Sequence, residues 1–531
     1  MALSRREILK AGAASAALAL ATGRAARAQV PADTIRVALA AGGPRYSDPN
    51  VTTQGADNWA TEQLYEQLVR PEDGQFGKTP QDFKPTLAES WTSSDDARTF
   101  TFKLRQGVQF HKGFGEMTSE DVVFSFERAR NEGTRKSLYS NVASVAADGP
   151  YGFVLNLHNP DPLVLGNLIF NNNASIVSKK AAQQMGEAFQ TDAVGTGPYQ
   201  LVRFDPEAGV FLEAFPDYWG EKAKTRYVEM LYIADTTART LALLARQVDM
   251  IEGVRAPGWV QSMLGRDSTL LFDMTAPGSF NTLHFNLTRP PFDNLKIRQA
   301  VAHAIDQNAI AEALVPMGKP MFGLEPPGFP AGFEQDRFPE ELRYAYDPER
   351  SKALLAEAGH ANGLTFSNFC SQREDYSSIM LIAQEQLRTA GINIDMKFVD
   401  HTFFHADNRK DLNSLVMNSS SYPPIPTLLY ADMLASAAEV KKDGSGGANY
   451  SHYGVAIPGI DDLLVKAANA TSFEDYVAAA EEIELQVRRD LPVMGLCTLS
   501  YTIARNARVD VGYPVQSGYA RWRLHRATIV S

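Results

Sequence analysis

Leu87 to Arg130 reads LAESWTSSDDARTFTFKLRQGVQFHKGFGEMTSEDVVFSFERAR, and its pattern decides what kind of chain this is. From Thr99 to Leu104 polar and apolar residues alternate, so Phe100, Phe102 and Leu104 share one face of a pleated strand. After a tight turn, Thr118 stands three residues ahead of Asp121. That is a capping box, and it opens a helix carrying Val122, Val123 and Phe126. The stretch holds no nucleophile, metal cluster or phosphate loop. Its regularity is that of scaffold.

The same alternation of strand and helix signals continues outward. Thr34 to Ala40 (TIRVALA) reads as an opening strand, and Asp57 to Val69 is predicted to be a helix with Leu64, Tyr65, Leu68 and Val69 on one side. In Asp293–Asp306 the residues Ile297, Ala300, Val301, Ala304 and Ile305 follow the spacing of an amphipathic helix. Asp347 is a good N-cap, Pro348 suits the first helical position and Gly359 the position after the end. Asp375 to Ala390 repeats the pattern and stops at Gly391, after which Ile392, Ile394, Met396 and Phe398 alternate as a strand. Strands alternating with helices predict α/β lobes.

At 531 residues there is room for two or more cores. The formal net charge of −11 argues against a nucleic-acid binder, which would show a basic face. The first 28 residues read as an export signal. Arg5-Arg6 precedes an apolar, Ala-rich run from Ala11 to Ala21, and Ala26-Arg27-Ala28 supplies small residues for cleavage. Paired arginines before a weakly apolar core predict a Tat-type signal cleaved near Ala28, hence a periplasmic protein. Cleavage there removes five basic residues and one acidic one, leaving a charge of about −15. Cys370 and Cys497 are too few for a disulfide framework, and the sequence leaves open whether they pair or stay as buried thiols.

Leu87-Ala88-Glu89-Ser90-Trp91, Leu104 to His111 and Thr118 to Ser125 resemble the extracytoplasmic solute-binding proteins of family 5, the peptide- and nickel-type receptors of ABC importers. Further matches follow in the family's order: Gly195-Thr196-Gly197-Pro198-Tyr199, Asp217 to Gly220, Ala245 to Asp249, Phe285 through Asp306, and Asp347 to Gly359. The resemblance covers essentially the whole chain after the signal. It implies an α/β, two-lobed periplasmic binding protein of type II, class C, with an extra subdomain in the first lobe. Residues 29–280 would form lobe I, with about 60–190 as the inserted subdomain. Residues 281–495 would form lobe II, and 496–531 would return to lobe I. Two strands crossing between lobes suit a hinge. The implied function is the substrate-binding component of an ABC importer. Its partners would be a small peptide or peptide-like solute and the permease–ATPase complex of the inner membrane. A monomer is expected, with no cofactor and no nucleic acid.

No catalytic constellation is legible: H-E-x-x-H, G-x-S-x-G and Walker or Rossmann glycine patterns are all missing. His401 and His405 would share a helix face, as metal ligands do, but Thr402, Phe403 and Phe404 around them point to packing, and no metal site is expected.

The binding residues come from the resemblance. In the dipeptide branch an Arg on a loop before a second-lobe helix pairs with the ligand's carboxylate. Arg373 occupies the matching place, and a guanidinium fork suits a carboxylate. The alternative is a loop Arg paired with Glu374 or Asp375. The same branch carries Gly-Trp, then an Asp for the ligand's amine, then Asp-Pro. Here Asn418 and Ser419 replace Gly-Trp, Tyr422 replaces the Asp, and Ile425-Pro426 replaces Asp-Pro. A buried ammonium would lack its counter-charge, which is costly. Asn418, Ser419, Ser420 and Tyr422 offer neutral hydrogen bonds instead, so opine-like, sugar-containing or amine-blocked solutes are the alternative to a plain peptide. A Pro-rich surface loop without a ligand role is the other reading of this segment. Asn449 and Tyr450 match a family position near the cleft, and Tyr46 and Trp59 lie where first-lobe residues approach ligand. Tyr450 and Trp59 fit a core equally well, and Trp91 and Trp219 are assigned to packing.

Overall fold

A computed structural model describes residues 31–52, 54–421 and 427–530. The export signal and Tyr422 to Pro426 lie outside the described residues. The alternation at Thr99–Leu104 is reproduced as burial: Phe100, Phe102 and Leu104 are buried and the residues between them are not. This strand is second in a four-stranded antiparallel sheet ordered Ala88–Ser93, Thr99–Leu104, Gly152–Leu157 and Val142–Ala147. Helix Ser119–Asn131 covers it, with the Phe126 ring 5.0 Å from that of Phe153. Its capping box forms as expected, the Asp121 carboxylate accepting from the Thr118 amide at 3.0 Å. The other oxygen of Asp121 accepts from the Lys179 amide at 2.9 Å, so the cap also pins the next helix, Lys179–Met185.

One expectation is corrected. The helix from Asp57 ends at Leu64, and Val69–Pro71 is a strand paired with Phe83–Pro85. The turn Gly195–Tyr199 stops it: the Gly197 amide donates to the Leu64 carbonyl at 3.0 Å. A Cβ on Gly195 would lie 2.1 Å from that carbonyl oxygen, so the close approach requires glycine there. Elsewhere the sequence signals hold within a residue or two. Helix Pro348–Glu357 is capped by Asp347, helix Glu374–Thr389 ends before Gly391 at φ +84°, and Ile392–Val399 is a strand.

A nine-stranded mixed sheet, among the described residues, organises the two lobes. Its order is Tyr199–Asp205, Gly209–Ala214, Tyr227–Tyr232, Thr34–Leu39, Met250–Glu252, Val493–Arg505, Leu271–Phe285 and Leu415–Ser421, with Gly318–Pro320 also on Val493–Arg505. The two long strands run side by side from one lobe to the other. Their first-lobe halves pair from Leu271↔Arg505 to Thr275↔Tyr501, and their second-lobe halves from Ser279↔Leu499 to His284↔Val493. Between them the register shifts through Ala276, Pro277 and Gly278, the last at φ +74°.

Each lobe has its own core. Ile35, Val37, Trp59, Leu64 and Phe102 belong to the first, Leu283, Ile297, Val301, Ile379 and Leu415 to the second. Trp522 and Leu524 near the C-terminus pack in the first core. They are anchored by a buried polar hub in which Glu66 accepts from Trp219 Nε1 at 2.6 Å, Tyr218 Oη at 2.9 Å and Thr196 Oγ1 at 3.2 Å, with Arg523 Nη1 also at 3.2 Å. Trp219, read as packing, thus also makes a hydrogen bond.

Candidate functional site

Helix Glu374–Thr389 carries Glu374 and Asp375 in its first turn, and Asp375 gathers charges from both lobes. Asp375 is 7% exposed and lies between two guanidiniums. Arg373 grips it as a fork, Nε 3.0 Å from Oδ1 and Nη2 2.5 Å from Oδ2. Arg255, on the loop after the first-lobe strand Met250–Glu252, reaches the same Oδ2 at 2.5 Å. Its Nη1 donates to Ser279 Oγ at 2.8 Å, and its plane lies 4.5 Å from the centre of the Tyr501 ring. Ser279 and Tyr501 both sit on the crossing strands, at the register shift. Burial works to raise the Asp375 carboxyl, but the two guanidiniums outweigh it and hold it below the usual carboxylate range.

His401 closes the second-lobe side. Arg373 Nη1 lies 3.0 Å from its Nε2, and the Ser371 hydroxyl 2.9 Å from its Nδ1. Because a guanidinium only donates, Nε2 is the bare nitrogen and Nδ1 carries the proton. Burial first, and then the positive Arg373, push the imidazole down to about 4, so it is neutral at pH 7. His401 and His405 do share a helix face, with ring centres 4.5 Å apart, and both His401 nitrogens are already engaged.

Of the two acids beside Arg373, the structure pairs it with Asp375. Asn418, Ser419 and Ser420 lie in a strand rather than a loop: Leu415–Ser421 pairs antiparallel with Leu271–Phe285, which supplies the ladder. Its end approaches the charge cluster. Tyr376 Oη donates to the Ser419 carbonyl at 3.4 Å, and the hydroxyls of Ser421 and Tyr501 are hydrogen-bonded. Asn418 Nδ2 donates to Ser420 Oγ at 3.2 Å.

The other sequence-nominated residues are placed apart from this cluster. Trp59 is 1% exposed, its ring 5.0 Å from that of Trp522 in the first core. Asn449 is fully buried and spends its amide on the carbonyls of Leu434, Ala435 and Tyr453. Tyr450 packs edge-on against His284 in the second core. Tyr46 is half-buried, with its backbone amide on Asp57. Residues that sequence reasoning missed are Arg255, Tyr376, Ser279, Ser421 and Tyr501. Asp375 is legible in sequence as a first-turn acid and as a partner for Arg373, whereas Arg255 reads only as a charge on a Gly/Pro-flanked loop. A cavity of about 280 Å³ opens elsewhere, between Pro160–Leu168 of the first lobe and Ala467, Ala468 and Tyr476 of the second.

Comparison with known proteins decides the family. The model for bacterial extracellular solute-binding proteins, family 5, matches residues 82–439. The chain belongs to that family. This family-5 protein is 31% identical over 395 residues to the dipeptide-binding protein of Escherichia coli K12, covering 69% of each chain. It is 30% identical over 338 residues to heme-binding protein A of Haemophilus influenzae, covering 58% of each. Among solved structures it superposes with TM-score 0.77 on MoaA of A. tumefaciens R10 in complex with mannopinic acid, at 27% identity over 94% of this chain and 99% of that one. It superposes with TM-score 0.72 on DppA of Helicobacter pylori in complex with peptide STSA, at 22% identity over 94% and 98%. The fold is therefore the α/β, two-lobed periplasmic-binding-protein fold of type II, and the protein is a solute-binding component of an ABC importer, not an enzyme. No helix among the described residues is long and apolar enough to cross a membrane.

Proposed function

We propose that this protein captures a small carboxylate-bearing solute between its lobes, in the periplasm, and hands it to an inner-membrane permease and ATPase. The solute class is peptides and peptide-like acids, with opine-like or sugar-containing acids as the second reading. That second reading is favoured by the sequence, in which Asn418 and Ser419 stand where a dipeptide receptor has Gly-Trp and Tyr422 stands where it has the acid for the amine. The observation that carries the proposal is the half-exposed guanidinium fork of Arg373, which grips Asp375 together with Arg255 of the first lobe, itself tied to Ser279 on a crossing strand. A fork of this kind recognises carboxylates bidentately.

The domain plan goes with it: lobe I over 29–280, lobe II over 281–495 and a C-terminal return over 496–531. The register shift at Ala276–Gly278 supports a hinge beside the first of these boundaries. Export through a Tat-type signal over residues 1–28 and a monomeric state complete the reading.

Thermal-shift screening of the protein lacking residues 1–28, against dipeptides, oligopeptides, opines and nickel chelates, tests it. A carboxylate-bearing solute at a hundred times its Kd is expected to stabilise by about 2.7 kcal/mol. Stabilisation by nickel chelates alone, or by nothing in the panel, would contradict it.

A further inference from the structure

The junction cluster holds a second guanidinium that neither motif nor family resemblance assigns. Arg255 comes from the first lobe, between strand Met250–Glu252 and helix Trp259–Arg266, whereas Arg373 and Asp375 come from the second. Asp375 Oδ2 lies 2.5 Å from Nη2 of each arginine. One carboxylate oxygen is thus held by guanidiniums from opposite lobes, which shows that both arginines can serve a single anion at this place. Arg255 is itself positioned: its side chain is 14% exposed, rests on Tyr501 and is tied to Ser279. Arg373, at 48% exposure, gives the cluster its open face.

The charge balance then selects the ligand. Two guanidiniums stand against one carboxylate, and the neighbouring His401 is neutral, so the cluster carries one surplus positive charge. Asp375 is the one carboxylate that either arginine contacts among the described residues, and both already use it. An arriving ammonium would meet that surplus with Asp375 already engaged, while an arriving carboxylate would neutralise it.

We infer that Arg255 is a first-lobe specificity residue and that the solute it selects has net negative charge at this end of the cleft. The inference rests on the receptor reading above and sharpens it. The solute's carboxylate shares Arg255 and Arg373 with Asp375, so the anion itself ties the two lobes together.

Titration calorimetry with three matched probes tests this: N-acetylalanylalanine, carrying one negative charge, zwitterionic alanylalanine, and cationic alanylalaninamide. On the wild-type protein, affinity is expected to fall in that order, by tenfold or more between the first and the last. Arg255→Ala should weaken the anionic probe at least tenfold and change the cationic one less than threefold. Arg255→Lys, which keeps the charge but loses the fork, should fall between, and it carries the test if circular dichroism shows that the alanine variant does not fold. Tighter binding of the cationic probe than of the anionic one, or an Arg255→Lys variant indistinguishable from wild type, would overturn the inference while leaving the receptor reading intact. Binding by none of the three, with no stabilisation in the wider solute panel, would overturn both.

Discussion

Glu66 and Arg523 show how much of this molecule depends on single buried charges. Glu66 is fully buried and Arg523 is 4% exposed, and their contact joins the segment just after helix Asp57–Leu64 to the C-terminal segment. A buried ion pair adds little net stability when intact, but losing one partner strands the other charge. Arg523→Met is therefore expected to cost about 3–5 kcal/mol, read from the shift in urea unfolding midpoint. At the same scale, Cys370 and Cys497 are both free and buried, and burial pushes each thiol up to about 12. Native protein should react with neither equivalent of a maleimide at pH 7, and urea-unfolded protein with two. Neither hub nor thiol state was legible in the sequence. Nothing in the sequence singles out Glu66, because the groups that bury it come from residues 196, 218, 219 and 523.

Elements carry two further predictions. Behind the loop that follows strand Gly318–Pro320, Tyr430 Oη lies 2.9 Å from Glu325 Oε1 and 2.8 Å from Glu484 Oε1. A hydroxyl has one proton to give, so one carboxyl must keep its own. Glu484 accepts the amides of Leu324 and Glu325, which marks it as the ionised partner and Glu325 as the protonated one. Burial raises both above the ordinary carboxylate range, and for Glu325 the charge of Glu484 adds to it. The folded state thus holds protons that the unfolded chain releases. Stability is full below the ordinary glutamate range and declines as pH rises through the raised values. Glu325→Gln should flatten that decline and raise the urea midpoint at pH 8 relative to wild type. At the crossing, Gly278→Ala would set a Cβ 2.1 Å from the Leu499 carbonyl oxygen at a positive φ, and should cost more than about 1 kcal/mol. Most elements were readable because their signals are local. The alternation at Thr99–Leu104, the Thr118 box and the Asp347-Pro348 start all lie within a few residues. The helix predicted to run to Val69 failed because a glycine turn more than a hundred residues away captures the Leu64 carbonyl.

The whole molecule adds what no local signal contains, namely which loops from two lobes meet. Arg373 was identifiable by its place in a family pattern and Asp375 as its sequence neighbour, but Arg255 and Tyr501 join them only through the paired crossing strands. The lobes also touch on another side, where Lys78 donates to the Gly328 carbonyl at 2.9 Å and Phe76 lies 5.8 Å from Phe329. These contacts and the Arg255–Asp375 pair join the lobes at two places. The central claim is that a solute's carboxylate is held there by Arg373. The most direct measurement is the affinity of the strongest carboxylate solute from the thermal screen, titrated calorimetrically into wild type and Arg373→Ala. A bidentate charged hydrogen bond contributes about 1.5–3 kcal/mol, so one-to-one binding weakened roughly ten- to a hundredfold is expected. Equal affinity for both proteins would contradict the account.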